Sequence, residues 1–284
     1  MSDHHDRETT APTRLGSLRV RTMGSGPPAA LWHSLFVDSS TWARVEEGLA
    51  CHRRLLIIDG PCHGASAPTT ARFTLDDCAG AACDVLDHLD ARGPVDWVGN
   101  AWGGHVGVVF AATKPDRCRS LVTVGTPISA LTPGERRQIV ALLPVYRLLG
   151  PIRPIVKAIT EALLGPGSDP RDARLVGDAF RSAGRSGMYN AIRSASLNRP
   201  DLTSTLATVN APTLIVAGDR DRAWPPAEAR AASQRPRQGA HRTVTGAGHV
   251  APLLQAAPSL IELISDFWTD PVAATHRVGS IGPS

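Results

Sequence analysis

Residues 95–107 read Val-Asp-Trp-Val-Gly-Asn-Ala-Trp-Gly-Gly-His-Val-Gly. Val95 to Val98 has strand character and runs straight into Gly99-Asn100-Ala101-Trp102-Gly103-Gly104. Small apolar residues at helical spacing follow, including Val106, Val109, Ala111 and Ala112. A strand that turns this sharply into a helix needs small residues on both sides of the apex, where Cβ atoms would otherwise collide. Gly99 and Gly103 meet that need. The apex itself, position 101, is alanine.

Working outward towards the N-terminus, Thr74 to Leu89 has helical periodicity, and Leu55 to Asp59 is an apolar run suited to a buried strand. Gly60-Pro61-Cys62-His63-Gly64-Ala65-Ser66 then forms a tight loop. Further back, Ser40 to Leu49 is spaced as a helix, Ala29 to Trp32 reads as another buried strand ending in His33-Ser34-Leu35-Phe36, and Leu15 to Thr22 alternates as a half-buried strand. Towards the C-terminus, Ser120 to Gly125 is a strand. From about Ile128 to Arg199 strand patterns vanish, apolar residues crowd at helical spacing, and prolines at 144, 151 and 154 cut the run into pieces. This segment carries eleven Arg/Lys against five Asp/Glu, a net +6 where the whole chain has +4, which marks it as a separate subdomain. Strand character returns at Pro212 to Gly218 and near Arg242 to Thr245. Gly246-Ala247-Gly248-His249 and a closing helix with Leu260, Leu263, Ile264 and Phe267 follow. Such alternation, with strands too apolar to have a wet face, predicts an α/β fold with a mostly parallel central sheet and helices on both faces. The expected division is a flexible arm at 1–13, a sheet domain at 14–127 and 205–270, a helical cap at 128–204 and a tail at 271–284.

The 284 residues suffice for one such domain with an insertion. Hydrophobic and charged contents of 42% and 20% are ordinary for a globular enzyme. No apolar run is long enough to cross a bilayer, and the polar N-terminal stretch has no signal-peptide core, so the expected address is cytoplasmic. Five cysteines without a C-x-x-C pair speak against a disulfide framework. The basic residues are scattered arginines, so neither nucleic acid nor membrane is an expected partner. No metal-ligand cluster or phosphate loop appears, and no cofactor is expected.

His33-Ser34, the Asp59-to-Ser66 loop, the Gly99-to-Gly103 turn, and the loops holding Asp221 and His249 occur in an order that resembles the α/β-hydrolase superfamily. The likeness covers about residues 14–127 and 205–268. Its G-x-S-x-G nucleophile elbow is matched at 99–103 except that Ala101 replaces the serine. The resemblance implies an α/β-hydrolase fold and a serine-hydrolase site. Position 101 would be that of the nucleophile, and His249, on a loop of small residues after the last strand, the base. Asp221 would orient the base, with Asp219 as a local rival better suited to forming a turn. The backbone N–H groups of Trp102 and Leu35 would form the oxyanion hole. Ser34, Phe36, Leu142 and Tyr146 are candidate substrate contacts. His33 and His63 are expected to brace the loops, and His105 to pack beside the elbow. The Leu31-to-Phe36 loop, with serine at 34, is similar to that of enol-lactone hydrolases.

The implied reaction is hydrolysis of a carboxylic ester through an acyl-enzyme, with a lactone or other apolar ester as substrate. A methyl group cannot attack a carbonyl, so the chain with Ala101 is expected to be inactive. Two origins of the alanine compete: replacement of a serine in a parent enzyme, and a natural non-catalytic binding protein for a small molecule. Retention of Asp221, His249 and the elbow glycines favours the first. Hydrolysis of a C–C bond by the same triad is the alternative reaction.

Overall fold

A computed structural model describes residues 7–276. Eight strands form one sheet: β1 (Arg7–Thr13), β2 (Gly16–Met23), β3 (Pro28–Trp32), β4 (Arg54–Ile58), β5 (Val95–Asn100), β6 (Cys118–Val124), β7 (Thr213–Gly218) and β8 (Gly239–Val244). Their spatial order is β1-β2-β4-β3-β5-β6-β7-β8. The β1–β2 and β2–β4 pairings are antiparallel, and every pairing from β4 to β8 is parallel. The helices are α1 (Glu46–Ala50), α2 (Leu75–His88), α3 (Trp102–Thr113), α4 (Pro133–Leu149), α5 (Arg153–Leu164), α6 (Pro170–Ser182), α7 (Gly184–Ala191), α8 (Thr203–Ala207), α9 (Pro226–Ala232), α10 (Ala251–Leu254), α11 (Ala257–Thr269) and α12 (Pro271–His276).

The apolar strands are explained by the layers. Side chains alternate across a strand, so Ala30 and Trp32 of β3 join one buried cluster with α2 and α3, whereas Ala29 and Leu31 join the other with α1 and α11. A parallel sheet covered on both faces has no wet side to reward polar residues. The helices α4 to α7 lie between β6 and β7 as an inserted cap. The chain leaves and re-enters the sheet domain at neighbouring points, where the Leu202 N–H donates to the Ile128 carbonyl at 2.8 Å. The cap is tied down at its rim: Asn190 donates to the carbonyls of Thr69 and Ala71, and Arg44 pairs with the buried Asp172.

Several expectations need correction. Arg7–Thr13, placed in the flexible arm at 1–13, is an edge strand, in register with β2 from Arg7 opposite Thr22 to Thr13 opposite Gly16. Its polar composition disguised it: of its seven residues only Ala11 is fully buried, and the threonines suit a half-wet strand. The tail at 271–284 begins as α12, whose Thr275 is buried and which packs against β7 and β8. The helix expected over Ser40 to Leu49 divides into a 3-10 turn at Ser39–Trp42, capped by Asp38, and α1. Residues 1–6 and 277–284 lie outside the described residues.

Candidate active site

The elbow is built by two close approaches. A Cβ on Gly99 would lie 2.2 Å from the carbonyl carbon and oxygen of Gly103, and one on Gly103 would lie 2.0 Å from the Trp32 carbonyl oxygen. With both glycines in place, β5 can turn into α3 directly against β3. Ala101, at the apex, has φ 47° and ψ −103°, a conformation that costs an L-residue about 1–3 kcal/mol. The strain is held by bonds on either side: the Ala101 N–H donates to the Val124 carbonyl at 2.9 Å, and the Gly103 N–H donates to the His33 carbonyl at 3.1 Å.

Ala101 and His249 line one cavity of about 240 Å³ between the sheet edge and the cap, together with Ser34, Leu35, Phe36 and Trp102. His249 Nδ1 lies 2.9 Å from Asp221 Oδ2. The other Asp221 oxygen, Oδ1, accepts from the N–H groups of Ala223 at 2.8 Å and Trp224 at 2.9 Å. An ionised carboxylate so occupied can take only a proton donor from the ring, which fixes Nδ1 as the protonated nitrogen and leaves the Nε2 lone pair free. Asp219 instead accepts from the Ala247 N–H at 3.1 Å and holds the histidine loop. Asn100, beside the apex, binds the elbow to the same loop by donating to the carbonyls of Val124 and His249. No sequence pattern singled out Asn100 for that role, since any small polar residue suits the turn.

Leu35 and Trp102 both border the cavity, and among the described residues no loop or turn hydrogen bond is donated by the backbone N–H of either. The loop that presents Leu35 is braced by two buried imidazoles. His33 Nε2 accepts from the Gly60 N–H at 2.9 Å, so its Nδ1–H donates to the Ser34 carbonyl at 2.7 Å. His63 stands between the carbonyls of Pro61 and Leu35. Burial, reinforced by neighbouring His33, lowers the His63 pKa to about 4. The Trp102 indole packs in an aromatic group with Trp32, His33, His63 and Phe73, which anchors the first turn of α3. His105 bonds the Pro127 carbonyl at 2.7 Å, and burial followed by the charge of Arg199 lowers its pKa to about 3.

The four candidate substrate contacts do not share one chamber. Ser34 and Phe36 border the Ala101 cavity, but Leu142 and Tyr146 line a neighbouring, almost wholly apolar cavity of about 290 Å³ between α4, α5 and the π-helical turn Ile192–Ser196. Phe36, Ile159 and Ser196 border both cavities and form the wall between them. Leu142 is 58% exposed and lies on the rim, because the inward face of α4 is taken by Leu143 and Tyr146. Two polar residues went unnoticed in the sequence, Glu135 and Arg199, which border the Ala101 cavity from the two ends of the cap. Glu135 was recoverable in principle: Thr132-Pro-Gly-Glu135 is a capping-box pattern that fixes it at the start of α4. Arg199 has no comparable signature.

Among the described residues no cluster of three or more His, Cys, Asp or Glu could hold a metal ion, and no helix is long and apolar enough to cross a membrane. Over 260 residues the chain is 28% identical to the pimeloyl-[acyl-carrier protein] methyl ester esterase of Xanthomonas campestris pv. campestris, a match that covers 88% of this chain and 98% of the esterase. Among solved structures it superposes on a thermophilic esterase from Thermogutta terrifontis with a TM-score of 0.84 and 22% identity, covering 94% of this chain and 99% of that one. An enol-lactonase from Burkholderia xenovorans LB400 gives 0.82 and 23%, with coverage of 92% and 100%. The two structural likenesses carry the α/β-hydrolase fold across more than nine-tenths of the chain. With the alpha/beta hydrolase family model matching residues 29–261, the chain belongs to that family.

Proposed function

We propose that this site is built to hydrolyse a carboxylic ester, a lactone by preference, through an acyl-enzyme, and that Ala101 makes the present chain its acylation-incompetent form. In the serine form the apex hydroxyl attacks the ester carbonyl, His249 Nε2 takes its proton, and Asp221 holds the imidazole in the required tautomer. The Leu35 and Trp102 N–H groups receive the developing oxyanion, and the apolar side of the same cavity, lined by Phe36, Ile159 and Leu163, takes the hydrocarbon part of the substrate. One observation carries the reading: His249, paired with Asp221 at 2.9 Å, shares a cavity with a strained apex residue at the mouth of a helix. The esterase and enol-lactonase among the relatives support the same choice of bond.

The test is Ala101→Ser, assayed on p-nitrophenyl esters of increasing chain length and on a panel of lactones. Loss of the nucleophile in a comparable enzyme costs on the order of a million-fold in turnover, and the serine variant is expected to recover most of that. A folded Ala101→Ser protein with no turnover on any member of the panel would refute the proposal and favour a small-molecule binding protein.

A further inference from the structure

We propose that the chain as it stands, with alanine at the apex, catalyses proton transfer at a carbon next to a carbonyl group. The proposal rests on the site reading given above, but not on acyl transfer. It needs a base, a group that fixes the base, and donors for an oxyanion, and the cavity has all three without residue 101. His249 Nε2 has no hydrogen-bond partner among the described residues, and its Nδ1 is held by Asp221 at 2.9 Å. Leu35 and Trp102 line the same cavity as His249, and neither donates its backbone N–H in a loop or turn hydrogen bond among the described residues. An oxyanion hole stabilises the enolate oxygen of a deprotonated ketone or ester as well as that of a tetrahedral adduct, because both place negative charge on a former carbonyl oxygen.

The alanine changes which reaction the remaining parts favour. A serine hydroxyl would take the Nε2 lone pair in a hydrogen bond and would attack any carbonyl seated in the hole. The Ala101 methyl does neither, and the imidazole faces the bound molecule directly. In the forward step the Nε2 lone pair takes the proton of the α C–H. The C–H electron pair becomes the enolate C=C bond, and the carbonyl π pair moves onto oxygen beneath the two N–H groups. Return of the proton from Nε2 to the same face of that carbon regenerates the substrate, exchange of the Nε2 proton with solvent before its return labels that carbon, and delivery along the same face to the far end of a conjugated chain shifts the double bond. No atom is lost and no co-reactant is needed. The ligand class is an apolar ketone or ester with an enolisable carbon, its hydrocarbon part held against Phe36, Ile159 and Leu163 of the same cavity.

The experiment follows hydrogen–deuterium exchange at the α positions of 4-phenylbutan-2-one by proton NMR in D2O near neutral pD, with the unmodified chain, His249→Ala and Asp221→Asn compared at equal concentration. General-base catalysis contributes about 10²–10⁴-fold, so the unmodified chain is expected to exchange the ketone at least ~100-fold faster than His249→Ala. Asp221→Asn serves where His249→Ala does not fold. Because Oδ1 faces two N–H donors, the amide nitrogen of the asparagine is turned towards His249 and forces the proton onto Nε2, so this variant is expected to lose exchange while keeping its circular dichroism. Equal rates in the unmodified chain and either folded variant overturn the inference. Ala101→Ser, assayed on p-nitrophenyl butyrate in parallel, separates the failures: ester hydrolysis without exchange in the unmodified chain removes this inference alone, and the absence of both removes the site reading as well.

Discussion

Replacing Gly103 by alanine should break the elbow, and its cost can be worked from the contacts. The added Cβ would lie 2.0 Å from the Trp32 carbonyl oxygen and 2.5 Å from its carbon, where ordinary contact begins near 3.4 Å. Both offending atoms are backbone of β3, which is hydrogen-bonded to β4 on one side and β5 on the other and has no freedom to retreat. The first turn of α3 must therefore move by about an ångström. That movement disrupts the Gly103 N–H bond to the His33 carbonyl and the bond from Trp97 Nε1 to the Gly103 carbonyl at 3.0 Å. Leaving buried groups of this kind unpaired costs about 1–3 kcal/mol each, and repacking adds about 1–3 kcal/mol, for a total on the order of 5 kcal/mol. Urea unfolding of Gly103→Ala beside the unmodified protein measures it. Gly93→Ala is the control: a Cβ there meets nothing within 4 Å, and the change should be neutral or stabilising by up to about 1 kcal/mol. A Gly103→Ala protein within 1 kcal/mol of the unmodified chain would show that the close approach of α3 to β3 does not hold the elbow.

Stability should fall in acid through the buried imidazoles. The folded-state pKa values of His63 and His105 are lowered to about 4 and about 3, so between pH 6.5 and those values the unfolded chain binds protons that the folded chain does not. Stability is thus complete above pH 6.5 and declines as pH falls, by roughly 2 kcal/mol per histidine at pH 5; a thermal midpoint unchanged from pH 7 to pH 5 would contradict this. In the Ala101→Ser background, Asp221→Asn should lower turnover by about 10⁴-fold through the wrong imidazole tautomer, with KM little changed, and steady-state kinetics would detect a smaller loss. The Tyr146 hydroxyl is buried without a partner, and burial raises its pKa to about 12. Tyr146→Phe should therefore stabilise the cap by about 1 kcal/mol in urea unfolding, since a buried hydroxyl without a bond is costly.

The sheet domain was legible because its signals are local. Apolar runs such as Leu55–Ile58 and the glycines at 99 and 103 state their environment in a few residues, whatever happens elsewhere in the chain. The edge strand Arg7–Thr13 is hidden for the opposite reason: with one side unpaired, its composition resembles that of a solvated arm. The candidate site divides in the same way. Ala101, Asp221 and His249 sit on loops at the ends of buried strands, where their position follows from the strand before them. Glu135 and Arg199 reach the cavity only through the packing of the cap, a relation between segments over 60 positions apart that no window of sequence contains. The partition into two cavities, which separates Leu142 and Tyr146 from Ala101, likewise depends on the bulk of Phe36 and Ile159.

The bond between Leu202 and Ile128 bears on how such a protein can diversify. It staples the base of the insertion shut, so the cap hangs from the sheet domain as a closed excursion. Because loop-closure entropy grows only slowly with length, a longer or shorter excursion on the same staple changes the cost of ordering the chain little. On the proposed function the excursion carries substrate preference, and it can then be exchanged as a module while the ends of β5, β7 and β8, which hold Ala101, Asp221 and His249, keep their geometry.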